Sequence, residues 1–230
     1  MARGLVISAS DTGAGKTVIA GGLVAALRSG GLDAVPYKPV ESGCEDAEAP
    51  ADGLALWQAC GRAASLEAIC PVRLREPLAP NLAARAEGAI LDEDAIRAGY
   101  EALAAAHAAV IVETAGGACS PLTDRWLAAD LARELELPLL LVVPDRLGAI
   151  HQALAARAGA EARGARVTAV LLNGVDPEPD GTQAGNLAEL QRLAPDLLLG
   201  AVPPLRPVAD RDVAGMTLLA ALPDLEALLG

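Results

Sequence analysis

Residues 5–17 read LVISASDTGAGKT, and the reading of this stretch decides the fold. Leu5–Ile7 is a short apolar run suited to a buried strand. A loop of small residues follows, and Gly15-Lys16-Thr17 then opens a helical stretch, Val18–Arg28. Strand, glycine-bearing loop, GKT and helix, in that order, give a phosphate-loop string its mechanism. Loop amides and the helix amino terminus turn toward an anion, Lys16 adds a mobile positive charge, and the Thr17 hydroxyl can hold Mg²⁺. Asp11, Thr12, Gly13, Ala14, Gly15, Lys16, Thr17 and Val18 are therefore the expected nucleotide contacts. The glycine that the general pattern carries five residues before Gly15 is Ser10 here. A glycine-rich turn with an incidental lysine is the competing reading, and the flanking strand and helix count against it.

Outward from this loop, strands and helices alternate. Asp33–Val40 (DAVPYKPV) is expected as the second strand, ending at Lys38-Pro39 and running into Glu41-Ser42-Gly43. Ligands of parallel α/β sheets bind beyond the carboxyl ends of the strands, which brings Lys38 and Ser42 near the phosphate loop. An acidic loop, 44–53, leads into a helix over Gly53–Cys60. Asp52 is its natural N-cap, and on sequence alone that cap and a metal role for Asp52 both stand. Leu74–Ala84 (LREPLAPNLAA) reads as a proline-punctuated turn running into a short helix, which can place Asn81 over a site. Asp92 caps a helix over Asp92–Ala106, with Glu93 and Asp94 in its first turn.

Ala108–Val112 is the next buried strand and delivers Glu113 at its carboxyl end, ahead of the glycine-rich 115–118 loop. Phosphate-loop enzymes carry a second Mg²⁺-organising carboxylate at such a position. A helix over Trp126–Leu135 and a strand over Leu137–Val143 follow. The next helix, Leu147–Arg163, begins at Gly148-Ala149-Ile150-His151. A strand over Val167–Leu172 ends at Asn173, and a helix is expected near Asn186–Leu193. The last strand, Leu198–Val202, ends at Pro203-Pro204-Leu205, and the tail, Met216–Leu229, is expected as a final helix. No repeat or linker interrupts this alternation. The fold class is α/β, a single doubly wound, mostly parallel sheet with helices on both faces, in one domain over 1–230.

Bulk properties narrow the function classes. The net charge of −12 argues against nucleic acid or an anionic membrane as a general partner. No apolar run reaches membrane-span length, and the amino terminus reads as a strand, not a signal peptide. Cys44, Cys60, Cys70 and Cys119 form no CxxC pair, so a zinc site and a disulfide framework are both disfavoured and a cytoplasmic, reducing setting fits. Of 18 basic residues, 16 are arginine, and Lys16 and Lys38 are the only lysines. In a chain biased so strongly to arginine, both lysines point to places that need a compact ammonium in preference to a broad guanidinium. One of them is already the phosphate-loop lysine, so Lys38 carries weight.

Together these stretches resemble the ATP-dependent dethiobiotin synthetase family, which belongs to the phosphate-loop class. The resemblance spans nearly the whole chain: SDTGAGKT, YKPVESG, PLAPNLAA, VETAGG and VVPDRLGAI, in that order. It implies ATP and Mg²⁺ as cofactors, with Lys16 and Thr17 on phosphates and metal and Asp52 and Glu113 completing the metal shell. Lys38 would neutralise a carbamate formed from CO₂ and one amine of 7,8-diaminopelargonate. Thr12, Ser42, Asn81 and Gly117 would lie on the substrate side. Asn173 would read adenine, with Pro203, Pro204 and Leu205 beside it. The family is homodimeric, and Gly148, Ala149, Ile150 and His151 would meet the substrate carboxylate across the subunit interface. Departures from the family pattern are Ala9, Ser10 and Thr114, all small, and Asn81 and His151, which fall on the diamino-acid side.

Three rival readings share the phosphate loop. The synthetase half of a cobyrinate amidotransferase would continue into a glutaminase domain, whereas this chain ends at Gly230. A partitioning-type switch ATPase would want a lysine where Thr12 stands, and often a basic tail. A non-catalytic nucleotide sensor has no need for Lys38 with Asp52 and Glu113.

Overall fold

The computed structural model describes residues 3–174, 183, 185–205, 211–222 and 228–229. In chain order the elements begin β1 (Arg3–Ala9), α1 (Lys16–Ser29), β2 (Ala34–Tyr37), β3 (Val40–Ser42), α2 (Ala51–Ala59) and α3 (Leu66–Ile69). They continue with β4 (Val72–Leu74), α4 (Pro80–Glu87), α5 (Glu93–Ala106), β5 (Ala109–Glu113), α6 (Ala128–Glu134) and β6 (Pro138–Pro144). The last five are α7 (Ala149–Ala162), β7 (Arg166–Asn173), α8 (Asn186–Leu193), β8 (Leu198–Val202) and α9 (Arg211–Ala221). Among the described residues no helix is long and apolar enough to cross a membrane.

Six strands form the main sheet in the order β2-β5-β1-β6-β7-β8, with every neighbouring pair parallel. β1 lies near the middle because it is apolar on both faces. Leu5 and Ile7 point into one core and Val6 into the other, the period-2 alternation of a pleated strand. β5 and β6 divide in the same way: Ile111, Leu140 and Val142 join Leu5 and Ile7, while Val112, Leu139 and Leu141 face the opposite side. Helix α1 covers the first face with Ile19 and Leu23, and Leu218 of α9 packs there too. Ile96 and Leu103 of α5 and Leu131 of α6 cover the second. Burying one such aliphatic side chain contributes roughly 1.5–3 kcal/mol, so this double core anchors β1 firmly.

Strand order reverses across β1, since the chain moves to β2 and β5 on one side and β6 to β8 on the other. The carboxyl end of β1 is thus the topological switch point where doubly wound sheets bind ligands. The phosphate loop begins there.

Three element boundaries differ from the sequence reading in ways that bear on the site or the tail, the first two for a local reason. The expected 33–40 strand divides at Lys38-Pro39: β2 stays in the main sheet, and β3 pairs with β4 in a separate two-stranded parallel sheet. Pro39 has no N–H for a ladder, and the Lys38 N–H donates to Ile69 O at 2.7 Å, which takes the chain out of the sheet. Helix α2 starts at Ala51 with Pro50 as N-cap, so Asp52 sits inside the first turn and is not the cap. Asp92 does cap α5, accepting from the amides of Asp94 and Ala95. In the tail, α9 begins and ends earlier than Met216–Leu229, and residues 223–227 of that expectation lie outside the described residues.

Candidate active site

The phosphate loop leaves β1 through two glycines in the left-handed region, Gly13 at φ 75° and Gly15 at φ 92°. Only glycine adopts this conformation without steric cost. Gly15 is the N-cap of α1, and no side chain caps that helix, so its first amides stay available to an anion. The chain beyond β5 is pinned to β1: Thr114 N–H donates to Ile7 O, and Ala118 N–H donates to Ala9 O. In-register pairing sets Glu113 beside Ile7, which carries its carboxylate to the start of α1.

Four side chains meet there. The Thr17 hydroxyl donates to Glu113 Oε1 at 2.9 Å, and the Lys38 ammonium donates to the same oxygen at 2.6 Å. Lys38 Nζ also lies 2.9 Å from Asp52 Oδ2. Lys38 is 3 % exposed and Glu113 1 %, so this ion pair is buried. Burial alone would depress the Lys38 pKa, but the Glu113 and Asp52 carboxylates outweigh it and hold the ammonium above the usual lysine range. Burial would raise the Asp52 pKa, yet the Lys38 charge and hydrogen bonds from Lys38 and Thr17 bring it below the usual aspartate value. Lys16 also lies buried, and desolvation lowers its pKa, with Glu113 opposing and Lys38 adding to the effect.

These groups line one cavity of about 340 Å³, bounded also by Thr12, Gly13, Gly15, Val18, Ser42 and the 115–116 loop. The other expected residues sit around it. Asp11 accepts from the Thr12 N–H and faces Arg146 at 3.6 Å, while Ala14 is buried. Asn173, at the end of β7, donates from Nδ2 to Ala14 O at 2.8 Å, and its buried Oδ1 has no partner among the described residues. Pro203 and Pro204 follow β8 beside it and are exposed, with Leu205 partly buried. Gly117 lies against Ala9 O and Ser10 O so closely that a β-carbon would press on both. Two groups stand apart from the cavity. Asn81 lines a separate pocket with Arg85, Glu93 and Arg125. Gly148, Ala149 and Ile150 form the uncapped start of α7, with His151 exposed beside them.

One charged residue of the cavity has no role in the sequence reading. Glu41 of β3 is 5 % exposed and accepts from the backbone amides of Asp52 at 3.1 Å and Gly53 at 2.8 Å. The signal was present, since an acid in a short apolar strand precedes a helix whose start, at Pro50, lacks a side-chain acceptor.

A divalent cation fits this donor set. Thr17, Asp52 and Glu113 offer hard oxygen ligands only, and Glu113 Oε2 is buried without a hydrogen-bond partner among the described residues. Among the described residues no group of three or more His, Cys, Asp or Glu could form an all-protein cage. Two carboxylates and a hydroxyl suit Mg²⁺, which keeps waters and substrate phosphates among its ligands.

Fold and site together define a phosphate-loop nucleotide-binding protein of the parallel α/β class. A family described as an AAA domain matches residues 3–212. The ATP-dependent dethiobiotin synthetase of Anaeromyxobacter dehalogenans (strain 2CP-C) is 44 % identical over 95 % of this chain and 98 % of its own. That of Bacillus subtilis (strain 168) is 31 % identical over 93 % of each chain. The chain belongs to the ATP-dependent dethiobiotin synthetase family. Among solved structures, the MinC:MinD cell division complex of Aquifex aeolicus shares the fold, with a TM-score of 0.61 at 14 % identity over 98 % of this chain and 96 % of that one.

Proposed function

We propose that this chain is a single-domain, ATP- and Mg²⁺-dependent cyclo-ligase that carboxylates 7,8-diaminopelargonate with CO₂ and closes the ring to dethiobiotin. Family membership over nearly the full length supports the reaction. The observation that carries the site assignment is the meeting of Lys16, Thr17, Lys38, Asp52 and Glu113 in one cavity at the switch point of the sheet. A nucleotide sensor would have no use for two buried ammonium groups facing two carboxylates.

The chemistry asks for charge stabilisation and alignment, not for a protein nucleophile. One substrate amine adds to CO₂ and loses a proton, giving a carbamate. A carbamate oxygen attacks the γ-phosphorus of ATP, ADP departs, and a carbamic-phosphoric anhydride results. The second amine attacks the carbonyl carbon, phosphate leaves, and the ureido ring closes with loss of a proton. Lys16 and the amides of residues 13–17 hold the phosphates. Lys38 neutralises the carbamate, and Thr12 and Ser42 orient the diamino acid. Mg²⁺, held by Thr17, Asp52 and Glu113, would offset negative charge on the transferring phosphoryl group. Asn173, at the end of β7 next to Pro203–Leu205, reads adenine. In a homodimer, the open start of α7 at Gly148–His151 receives the substrate carboxylate from the partner, and Asn81, in its own pocket, and Gly117, beside the phosphate loop, belong to the substrate side.

The deciding experiment is phosphate release from MgATP and bicarbonate, with and without 7,8-diaminopelargonate, followed by mass spectrometry. Release that depends on the diamino acid and yields dethiobiotin is the expected result. Release without it, or none, overturns the substrate assignment and leaves a nucleotide site whose substrate pocket was changed by Asn81 and His151.

A further inference from the structure

Helix α2 begins under an unusual constraint. Its first amides need acceptors, and its N-cap, Pro50, makes no side-chain hydrogen bond. A helix of this kind usually caps itself with Ser, Thr, Asp or Asn. Here the cap comes from another element. Glu41 of β3 points both carboxylate oxygens at consecutive amides of the first turn, Oε1 at Asp52 N–H and Oε2 at Gly53 N–H, and Oε2 also accepts from the Cys70 thiol at 3.6 Å. A buried carboxylate at a helix amino terminus is favoured by the dipole and by charge-assisted hydrogen bonds.

Two consecutive amides held by one carboxylate fix both the rotation and the axial position of that turn. Asp52 leaves the helix from one of those two residues, and its Oδ2 reaches Lys38 Nζ at 2.9 Å. Were Asp52 the cap, its carboxylate would be spent on its own helix. Glu41 therefore frees the Asp52 side chain and aims it.

We propose that Glu41 is a positioning residue that places the Asp52 carboxylate for metal binding. The proposal rests on the reading that Asp52 is a metal ligand, and the test separates the two. The readout is the metal-linked gain in nucleotide affinity, that is, the ratio of the affinity for a non-hydrolysable ATP analogue in saturating Mn²⁺ to that in EDTA. It is measured by calorimetry on the full chain, for wild type, Glu41→Gln, Asp52→Ala and the double variant. Glu41→Gln is expected to reduce the gain on the order of tenfold, the usual effect of losing a support for a metal ligand, while the affinity in EDTA stays unchanged. In the Asp52→Ala background the same change is expected to do nothing further, because the support then has nothing to aim.

A Glu41→Gln variant that keeps the wild-type gain overturns the proposal. So does a loss that persists in full beside Asp52→Ala, since that marks a general charge or folding effect. If Asp52→Ala itself keeps the wild-type gain, the metal reading of Asp52 fails, and the role of Glu41 fails with it. Should Glu41→Gln not fold, Glu41→Asp replaces it. That side chain keeps the charge but is one methylene too short to reach both amides. A partial loss that vanishes beside Asp52→Ala supports the proposal, and wild-type gain overturns it.

Discussion

The amide nitrogen of Asn173 occupies the space that a β-carbon on Gly15 would need. Gly15 stands at φ 92°, and Asn173 reaches over from β7 to donate to Ala14 O, so the loop that cradles phosphate is clamped from the far side of the sheet. Gly15→Ala meets two penalties at once. The left-handed conformation costs a side-chain-bearing residue about 1–2 kcal/mol, and the new methyl displaces the Asn173 amide. ATP-analogue affinity is expected to fall at least about tenfold, equivalent to ~1.4 kcal/mol. Calorimetric titration checks this, and near-wild-type affinity would refute the clamp.

Lys38→Arg keeps the charge but not the shape. The ammonium fits between Glu113 and Asp52 while 3 % exposed, and a planar guanidinium is too broad for that gap. Turnover is expected to drop on the order of 10²-fold or more, as for loss of a preorganised donor. ATP binding, which the proposed function places on the loop and Lys16, should persist. Steady-state kinetics beside nucleotide titration test the split, and normal turnover would overturn the role of Lys38.

Lys38 is paired with both Glu113 and Asp52, so a metal ion held by these carboxylates would compete with it. Removing the ammonium by Lys38→Met takes from Glu113 and Asp52 the charge with which both are paired, a costly loss for buried carboxylates. In EDTA the variant should therefore melt below wild type, and Mn²⁺ should restore more stability to it than to wild type by binding only the folded state. Lys16→Met removes a nearby charge that makes no ion pair with either carboxylate in the structure, and it should show a smaller Mn²⁺ response. Equal responses in thermal melts would mean that general electrostatics, not displacement, governs metal entry.

At the opposite end of the sheet, Asp33 accepts from Arg28 at 2.7 Å and contacts His107 Nδ1 at 2.9 Å. The His107 hydrogen bond, then that of Arg28, hold the Asp33 pKa below its usual 3.8. A folded-state pKa below the unfolded one contributes stability that is present above the unfolded value and lost as pH falls through the folded one. Asp33→Asn should thus be less stable than wild type at neutral pH, and the gap should narrow once the pH drops below 3.8. Urea melts across that range test the sign, and a gap that widens toward acid would contradict it.

Much of this was legible in the chain because the controlling interactions are local. The alternation of Leu5, Val6 and Ile7, glycines at 13 and 15, and Lys16-Thr17 at a helix start specify strand, loop and helix within a dozen residues. Asp92 before a helical run caps that run, since the acceptor and the amides it serves lie within three residues. Glu113 at the end of an apolar strand announces a carboxylate at the edge of a parallel sheet. The retention of Lys38 in an arginine-rich chain singles out a buried ammonium before any geometry is known.

What only the tertiary structure decided are the interactions between distant residues. Asp52 reads as a cap or a ligand on sequence alone, and only the fold shows that it is not the cap, because Glu41, eleven positions earlier, takes the amides. Lys38 and Glu113 are 75 residues apart, and the parallel pairings β2·β5 and β1·β5 bring them together. Asn173 is 159 residues from Ala14, and β7 lies two strands away from β1, so no periodicity could show that one clamps the other. Local preference chooses strand, turn and helix. Partners for buried charges are chosen by sheet order and register, which follow from burying both apolar faces of β1 at once.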